Sequence, residues 1–255
     1  MKISVLASGS KGNVSLIKFN NLNILIDLGM SSKYVESKLK ELEVNPKSIN
    51  FVFLTHVHND HIYGLKTYLK KHNPTLVLSE SMYNYLKKIM PIKDYIIIDK
   101  FLDINSLNVT TIKLSHDSEE VLGYIFKENH KEIVYITDTG YINVKHHYEL
   151  SNKDFYVMES NHDIEKLMNG TYPNHLKRRI ISDKGHLSNE MTMKYLNKFI
   201  GPKTKGIIFI HMSEANNTEE KIINEMDLIL KTNENFPNKI VISKQTDKTE
   251  LIEIW

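Results

Sequence analysis

The chain has 255 residues, of which 41% are hydrophobic and 25% charged, a composition that fills one large domain or two small ones around a full core. Its 33 Lys and Arg against 31 Asp and Glu leave a net charge of +2, so a polyanion would have to be held by a local patch. With no cysteine, disulfide scaffolds, thiolate zinc sites, iron–sulfur clusters and cysteine nucleophiles are excluded, and any metal must be held by His, Asp or Glu. The leading apolar run, about five residues, is too short for a signal peptide. No stretch approaches the roughly 20 apolar residues that cross a bilayer, so the chain reads as cytoplasmic with no membrane partner. Short strands are predicted at Ile3–Ala7, Val14–Phe19 and Asn23–Asp27, the last two joined by an Asn20-Asn21 turn. Ser31-Ser32 offers an N-cap for a helix to about Glu43, with Val35, Leu39 and Leu42 at helical spacing. Strand Phe51–Leu54, helix 64–71, strand Thr75–Leu78 and helix Ser79–Met90 follow, then short strands from Tyr95 to Ile136. Helices are predicted at 143–150, 161–168, 188–200 and 218–231, with strands at Phe155–Met158, Gly206–Ile210, Lys239–Ser243 and Glu250–Ile254. No repeat or linker-like run divides the chain, so 1–255 is read as one domain with two packed sheets and helices outside.

The strongest signal is Thr55-His56-Val57-His58-Asn59-Asp60-His61. Three His and one Asp at these offsets arise by chance on the order of 10⁻³ times in a chain of this composition. His56 and His58 lie two apart just past a strand, so extended backbone projects both imidazoles to one side. Asp60 and His61 ride on the turn into the next helix, where they can face a second ion. Three further candidate ligands each follow an apolar strand directly: His116, Asp138 and His211. Strand carboxyl ends cluster at one rim of a sheet, so these groups can converge with the His56 loop. Imidazole and carboxylate donors suit zinc, manganese or iron.

This pattern resembles the metallo-β-lactamase superfamily along the length of the chain, with Asp27 closing an early strand as that family's first motif. The resemblance implies a four-layer αββα sandwich of the α/β class and two divalent ions, zinc or manganese with iron as an alternative. His56, His58 and His116 would hold one ion, Asp60, His61 and His211 the other, with Asp138 between them and Asp27 orienting the loop from behind. Fold alone does not choose among the lactam, thioester, lactone and phosphodiester chemistries of that scaffold. The two ions and their carboxylates leave a cationic site, which favours an anionic substrate.

Between Asp138 and His211 lie Met158-Glu159-Ser160-Asn161-His162-Asp163 and Asp183-Lys184-Gly185-His186-Leu187-Ser188. In the phosphodiesterase branch a glutamate after a strand partners a histidine in such a Gly-His segment; Glu159 and His186 match that pair. By the same resemblance Asp60 orients the attacking water and His186 serves the departing oxygen. The stretch Tyr172–Arg179 contains Lys177, Arg178 and Arg179, read either as a solvated helix face or as a phosphate-tracking patch. Ser10 and Asn13, in a glycine-rich turn, and His162 are further candidates for the cleft. His72, His130, His146, His147 and His175 are read as surface residues. Taken together, these pieces resemble the YycJ (WalJ)-like branch, which implies a metal-dependent 5′→3′ exonuclease acting on DNA and linked to DNA repair. A cyclic-nucleotide or other small-molecule phosphodiesterase, an acyl hydrolase and a non-catalytic metal-binding module are the alternatives.

Overall fold

A computed structural model describes residues 1–230 and 233–254. The first sheet is built from β1 (Lys2–Ala7), β2 (Val14–Lys18), β3 (Asn23–Ile26), β4 (Phe51–Phe53), β5 (Thr75–Leu78) and β6 (Tyr95–Ile97). The second takes β7 (Phe101–Ile104), β8 (Leu107–Leu114), β9 (Val121–Glu128), β10 (Lys131–Ile136), β11 (Phe155–Glu159), β12 (Gly206–Ile210) and β13 (Lys239–Ile242). The last strand, β14 (Ile252–Glu253), returns to the first sheet beside β1. The spatial orders are β14-β1-β2-β3-β4-β5-β6 and β13-β12-β11-β10-β9-β8-β7. Each sheet begins as an antiparallel meander and ends in parallel strands, β3 to β6 in one and β10 to β13 in the other. Parallel strands gather their carboxyl ends on one rim, where open α/β sheets place their ligands.

Helices α1 (Ser32–Glu41), α2 (Asn59–Ile62), α3 (Leu65–His72) and α4 (Glu80–Leu86) belong to the first half. The second half carries α5 (His147–Leu150), α6 (Ile164–Asn169), α7 (Asn174–Ile180), α8 (Asn189–Phe199) and α9 (Glu219–Leu230). Alternation along the parallel strands builds the layers. Phe155 and Val157 of β11 point into the core shared with the first sheet, while Tyr156 and Met158 pack with Met193, Leu196 and Phe199 of α8 and Ile222 of α9. Val35, Leu39, Leu65, Tyr68, Met82 and Leu86 cover the first sheet's other face. The result is the helix–sheet–sheet–helix sandwich the motifs implied. No helix among the described residues is long and apolar enough to cross a membrane.

Most elements match the sequence reading, and the departures have local causes. Helix α4 stops at Leu86 rather than Met90, because the amides of Lys88 and Ile89 turn to the i−3 carbonyls of Tyr85 and Leu86. Helix α6 starts at Ile164 rather than 161, with Asp163 as its cap, because residue 162 bridges to Ser188. The segment 143–150 divides into a 3₁₀ turn and α5. The predicted end of the last helix, residue 231, lies outside the described residues.

Candidate metal centre

Six of the motif residues follow strands whose carboxyl ends share the rim. Asp27 follows β3, His56 follows β4, His116 follows β8, Asp138 follows β10, Glu159 ends β11, and His211 follows β12. Three of them adopt left-handed backbone, with φ of 58° at Asp27, 49° at Asp138 and 56° at His211. That conformation costs a residue other than glycine roughly 1–2 kcal/mol. Glycine would relieve it but would remove the side chain, a pattern of strain retained at functional positions. Two glycines bring the loops close. A Cβ on Gly29 would lie 1.6 Å from the Asp60 carbonyl oxygen, and one on Gly185 would lie 2.0 Å from that of Ile180. Their absence lets Asn13 donate to the Asp60 carbonyl at 2.8 Å, and the His186 amide to Ile180 at 2.9 Å.

Two groups of donor atoms result. His56, His58 and His116 each offer a nitrogen within 4.8 Å of the others, as do the ligand atoms of Asp60, His61, Asp138 and His211. Asp138 lies between them, its Oδ2 being 3.3 Å from His56 Nε2 and 2.9 Å from His61 Nε2, and its Oδ1 2.8 Å from His211 Nδ1. Four imidazoles are tied at Nδ1 and present Nε2. His61 Nδ1 pairs with Asp27 Oδ2 at 2.8 Å, His116 Nδ1 donates to the Gly185 carbonyl at 2.8 Å, and His56 Nδ1 lies 3.1 Å from Thr55 Oγ1. His211 Nδ1 is held by Asp138 and by Glu159 Oε1, the latter at 2.9 Å. Asp27 in turn accepts from the Thr55 amide and hydroxyl, both at 2.8 Å, so the residue before the His56 loop is tied to the same carboxylate as His61.

The electrostatics point the same way. The Nε2 atoms of His56 and His211 are buried with no hydrogen-bond partner. Burial, reinforced by neighbouring His61, pushes the His56 imidazole well below its ordinary pKa; burial likewise lowers His116. Burial alone would also raise the Asp138 carboxyl, but His211 and His61 hold it well below the usual range. For His61 and His211 burial opposes the charged form, yet Asp138 beside each pushes it well up. Burial opposes ionisation of Asp60 too, but the neighbouring imidazoles of His211 and His61 drive its carboxyl far down. Unpartnered imidazole nitrogens around ionised buried carboxylates form a donor set suited to divalent cations, and these residues fit such ions. Glu159 falls in a third, overlapping group with Asp138, His186 and His211. Its oxygens are already engaged: Oε1 by His186 and His211, Oε2 by the amides of Thr139 and Leu187. It therefore reads as an anchor and not as a ligand.

The model of the β-lactamase superfamily domain matches residues 22–212, which include this whole centre. The chain belongs to the metallo-β-lactamase superfamily. It is 34% identical over 226 residues to the exodeoxyribonuclease WalJ of Streptococcus pneumoniae, covering 86% of this chain and 84% of that protein. Identity to the exodeoxyribonuclease YycJ of Bacillus anthracis is 33% over 225 residues, covering 86% and 85%. Among solved structures, the metallo-β-lactamase fold protein YhfI of Bacillus subtilis superposes with a TM-score of 0.72 at 15% identity, over 98% of this chain and 99% of that one. This superfamily member is accordingly a metal-dependent hydrolase.

In this metallo-β-lactamase fold His58, Asp60, His116, Asp138 and His211 of the donor groups line a cleft of about 260 Å³, together with Ser10, Asn161, Tyr172, Arg179, His186 and Ser213. His186 Nδ1 contacts Glu159 Oε1 at 2.6 Å, and burial of Glu159 is outweighed by His186, which holds its carboxyl at about 2. The remaining candidates divide. Ser10 is exposed on the rim. Asn13 is buried beneath it, donating to Asp60 Oδ2 at 3.2 Å, and so acts on the centre from below. Asn161 donates to the His211 carbonyl at 2.9 Å.

The basic run splits three ways on α7. Lys177 is buried and donates to the Met168 carbonyl at 2.7 Å, which removes it from any surface patch. Arg178 is exposed away from the cleft, and Arg179 lines the cleft. His162 is likewise buried, its imidazole pushed down to about 4 by burial, and is not among the residues lining the cleft. His72 is not a surface histidine either, since its side chain is 4% exposed and contacts Glu36. Sequence reasoning missed Asp117, whose Oδ1 is 3.2 Å from His116 Nε2 and whose Oδ2 holds Arg179. Its position directly after His116 was the one available signal.

Proposed function

We propose that this chain is a nuclease that removes nucleotides from the 5′ end of DNA, with DNA repair as its setting. The observation that carries the reading is the Glu159–His186 pair, aimed at the cleft beside both donor groups; the names of the two relatives support it. Two divalent ions, zinc or manganese, held by His56, His58 and His116 and by Asp60, His61 and His211 with Asp138 shared, would supply Lewis-acid activation and charge neutralisation at a phosphodiester. The chain's own groups then have distinct tasks. Glu159, ionised and buried, fixes the tautomer and orientation of His186 through Nδ1 and leaves Nε2 to face the cleft. That nitrogen can hold a proton and give it to the departing oxygen. Asp60, held by Asn13, would orient the attacking water.

The test is an assay of protein reconstituted with manganese or zinc. Linear duplex DNA labelled at its 5′ end should release labelled mononucleotide, closed circular DNA should persist, and bis(p-nitrophenyl) phosphate should be hydrolysed more slowly. A thioester cleaved while both phosphodiesters survive would overturn the reading in favour of acyl hydrolysis.

A further inference from the structure

The cleft has a wall that the catalytic groups do not use. On α7, Leu176, Arg179 and Ile180 are spaced i, i+3, i+4 and so share one helix face, which lines the same cleft as His186 together with Tyr172 from the preceding loop. Other bonds fix this wall. Lys177 ties the inner face of α7 to Met168, and the His186 amide closes onto Ile180 at its end. Arg179 directs Nε and Nη2 at Asp117 Oδ2. A guanidinium carries five N–H donors, and among the described residues Nη1 has no other partner, so it stays available to an anion. The cleft thus sets three chemistries side by side: a cation-binding floor, a guanidinium anchored by a carboxylate, and an apolar shelf with an aromatic ring. A lone phosphate ester has no use for the shelf, and an apolar ligand has none for the guanidinium. A nucleotide uses both.

Building on the phosphodiesterase reading above, we propose that this wall is a nucleotide subsite. Arg179 takes the phosphate adjoining the scissile one, and Tyr172 with Leu176 and Ile180 covers the face of the base between them. Stacking on an aromatic ring tolerates any base, so the subsite confers grip without sequence preference. It also requires one face of that base to be free of its stacked neighbour, because Tyr172 takes that neighbour's place. The reading of Lys177, Arg178 and Arg179 as one patch is replaced by a single cleft-facing arginine.

The test uses metal-loaded protein and single-stranded oligonucleotides, either intact or carrying an abasic residue on one or the other side of the first scissile bond. Tyr172→Ala should lower kcat/KM on intact DNA about tenfold, the order expected for one lost stacking contact. Tyr172→Phe should restore it. On one of the two abasic substrates the wild type should show the same loss and Tyr172→Ala no further one. Arg179→Ala should raise KM for DNA and weaken binding of a cleavage-resistant phosphorothioate oligonucleotide, while Arg178→Ala leaves both near wild type. Hydrolysis of bis(p-nitrophenyl) phosphate should be unchanged in Arg178→Ala, whose side chain lies outside the cleft. An equal Tyr172→Ala penalty on intact and both abasic substrates, or equal losses for Arg178→Ala and Arg179→Ala, would overturn the subsite alone. Wild-type protein that cleaves neither DNA nor bis(p-nitrophenyl) phosphate would remove the phosphodiesterase reading and the subsite with it.

Discussion

His186 and Glu159 differ in how much else depends on them. His186 touches Glu159 and faces the cleft, so His186→Ala should retain metal and fold while turnover on DNA falls by about 10²–10⁴, the usual worth of a positioned general acid or base. Elemental analysis alongside the rate measurement checks this, and metal lost with the imidazole would show that it is a ligand. Glu159 has four protein donors on its two oxygens, so Glu159→Gln cannot be the mild change that a pairwise view of the dyad suggests. Its amide group must face either the two imidazoles or the two backbone amides. A buried donor left unsatisfied costs about 1–3 kcal/mol, and a lower Tm should accompany the lost activity. The metal-site candidates were legible because His and Asp stand at strand ends and at short, improbable spacings. Asp117 and Tyr172 carry no such spacing, and only the approach of α7 to the β8 rim gives them a neighbour to act on.

Between elements, the clearest electrostatic joint links α1 to α3. Glu36 of α1 accepts from Lys71 Nζ at 2.6 Å and Ser32 Oγ at 2.8 Å, and pairs with His72 Nε2 at 3.1 Å. Burial would raise its carboxyl, but these hydrogen bonds hold it at about 2, below the ordinary 4.5. A carboxylate depressed on folding contributes stability that is fully present above its unfolded pKa and disappears as pH falls through the folded one. Glu36→Gln should therefore melt below wild type at pH 7, and the difference should shrink between pH 4.5 and 2. Melts of both proteins in chelator across that range measure it; a constant gap would mean that the loss comes from packing. The sequence showed both helices but not their joint, since His72 has no sequence neighbour to mark it as buried. The same limit hid β14, which reaches across the chain to β1 while β13 stays in the other sheet. Strand patterns report which residues alternate and not which strand they will meet. What the sequence hid in α7 is its cleft-lining side, because seven residues rich in cationic side chains look like a solvated helix face until the i, i+3, i+4 positions have something to line.

At the scale of the molecule, the centre is also a fastener. His56, His58, Asp60 and His61 follow β4 of the first sheet, whereas His116, Asp138 and His211 follow strands of the second. Each proposed ion takes ligands from both, so binding opposes separation of the sheets. Ligand binding to the native state alone adds about 2.7 kcal/mol at 100 times Kd, and in a domain of this size each kcal/mol moves Tm by roughly 2–4 °C. Zinc or manganese should thus raise Tm by about 5–10 °C per occupied site, and chelation should reverse it. The ligands should divide by their neighbours in the metal-free protein. The His58 side chain is 31% exposed, so His58→Ala should match wild type in chelator and lose most of the gain on adding metal. His61 is fully buried between Asp27 and Asp138, and its removal takes a shared cationic partner from two buried carboxylates. His61→Ala should therefore melt lower even in chelator, by several degrees, because breaking a buried pair leaves an uncompensated charge. Melting curves for the three proteins, with and without metal, decide the matter. If wild-type Tm ignores both metal and chelator, the centre does not join the sheets, and its residues serve some purpose other than holding ions.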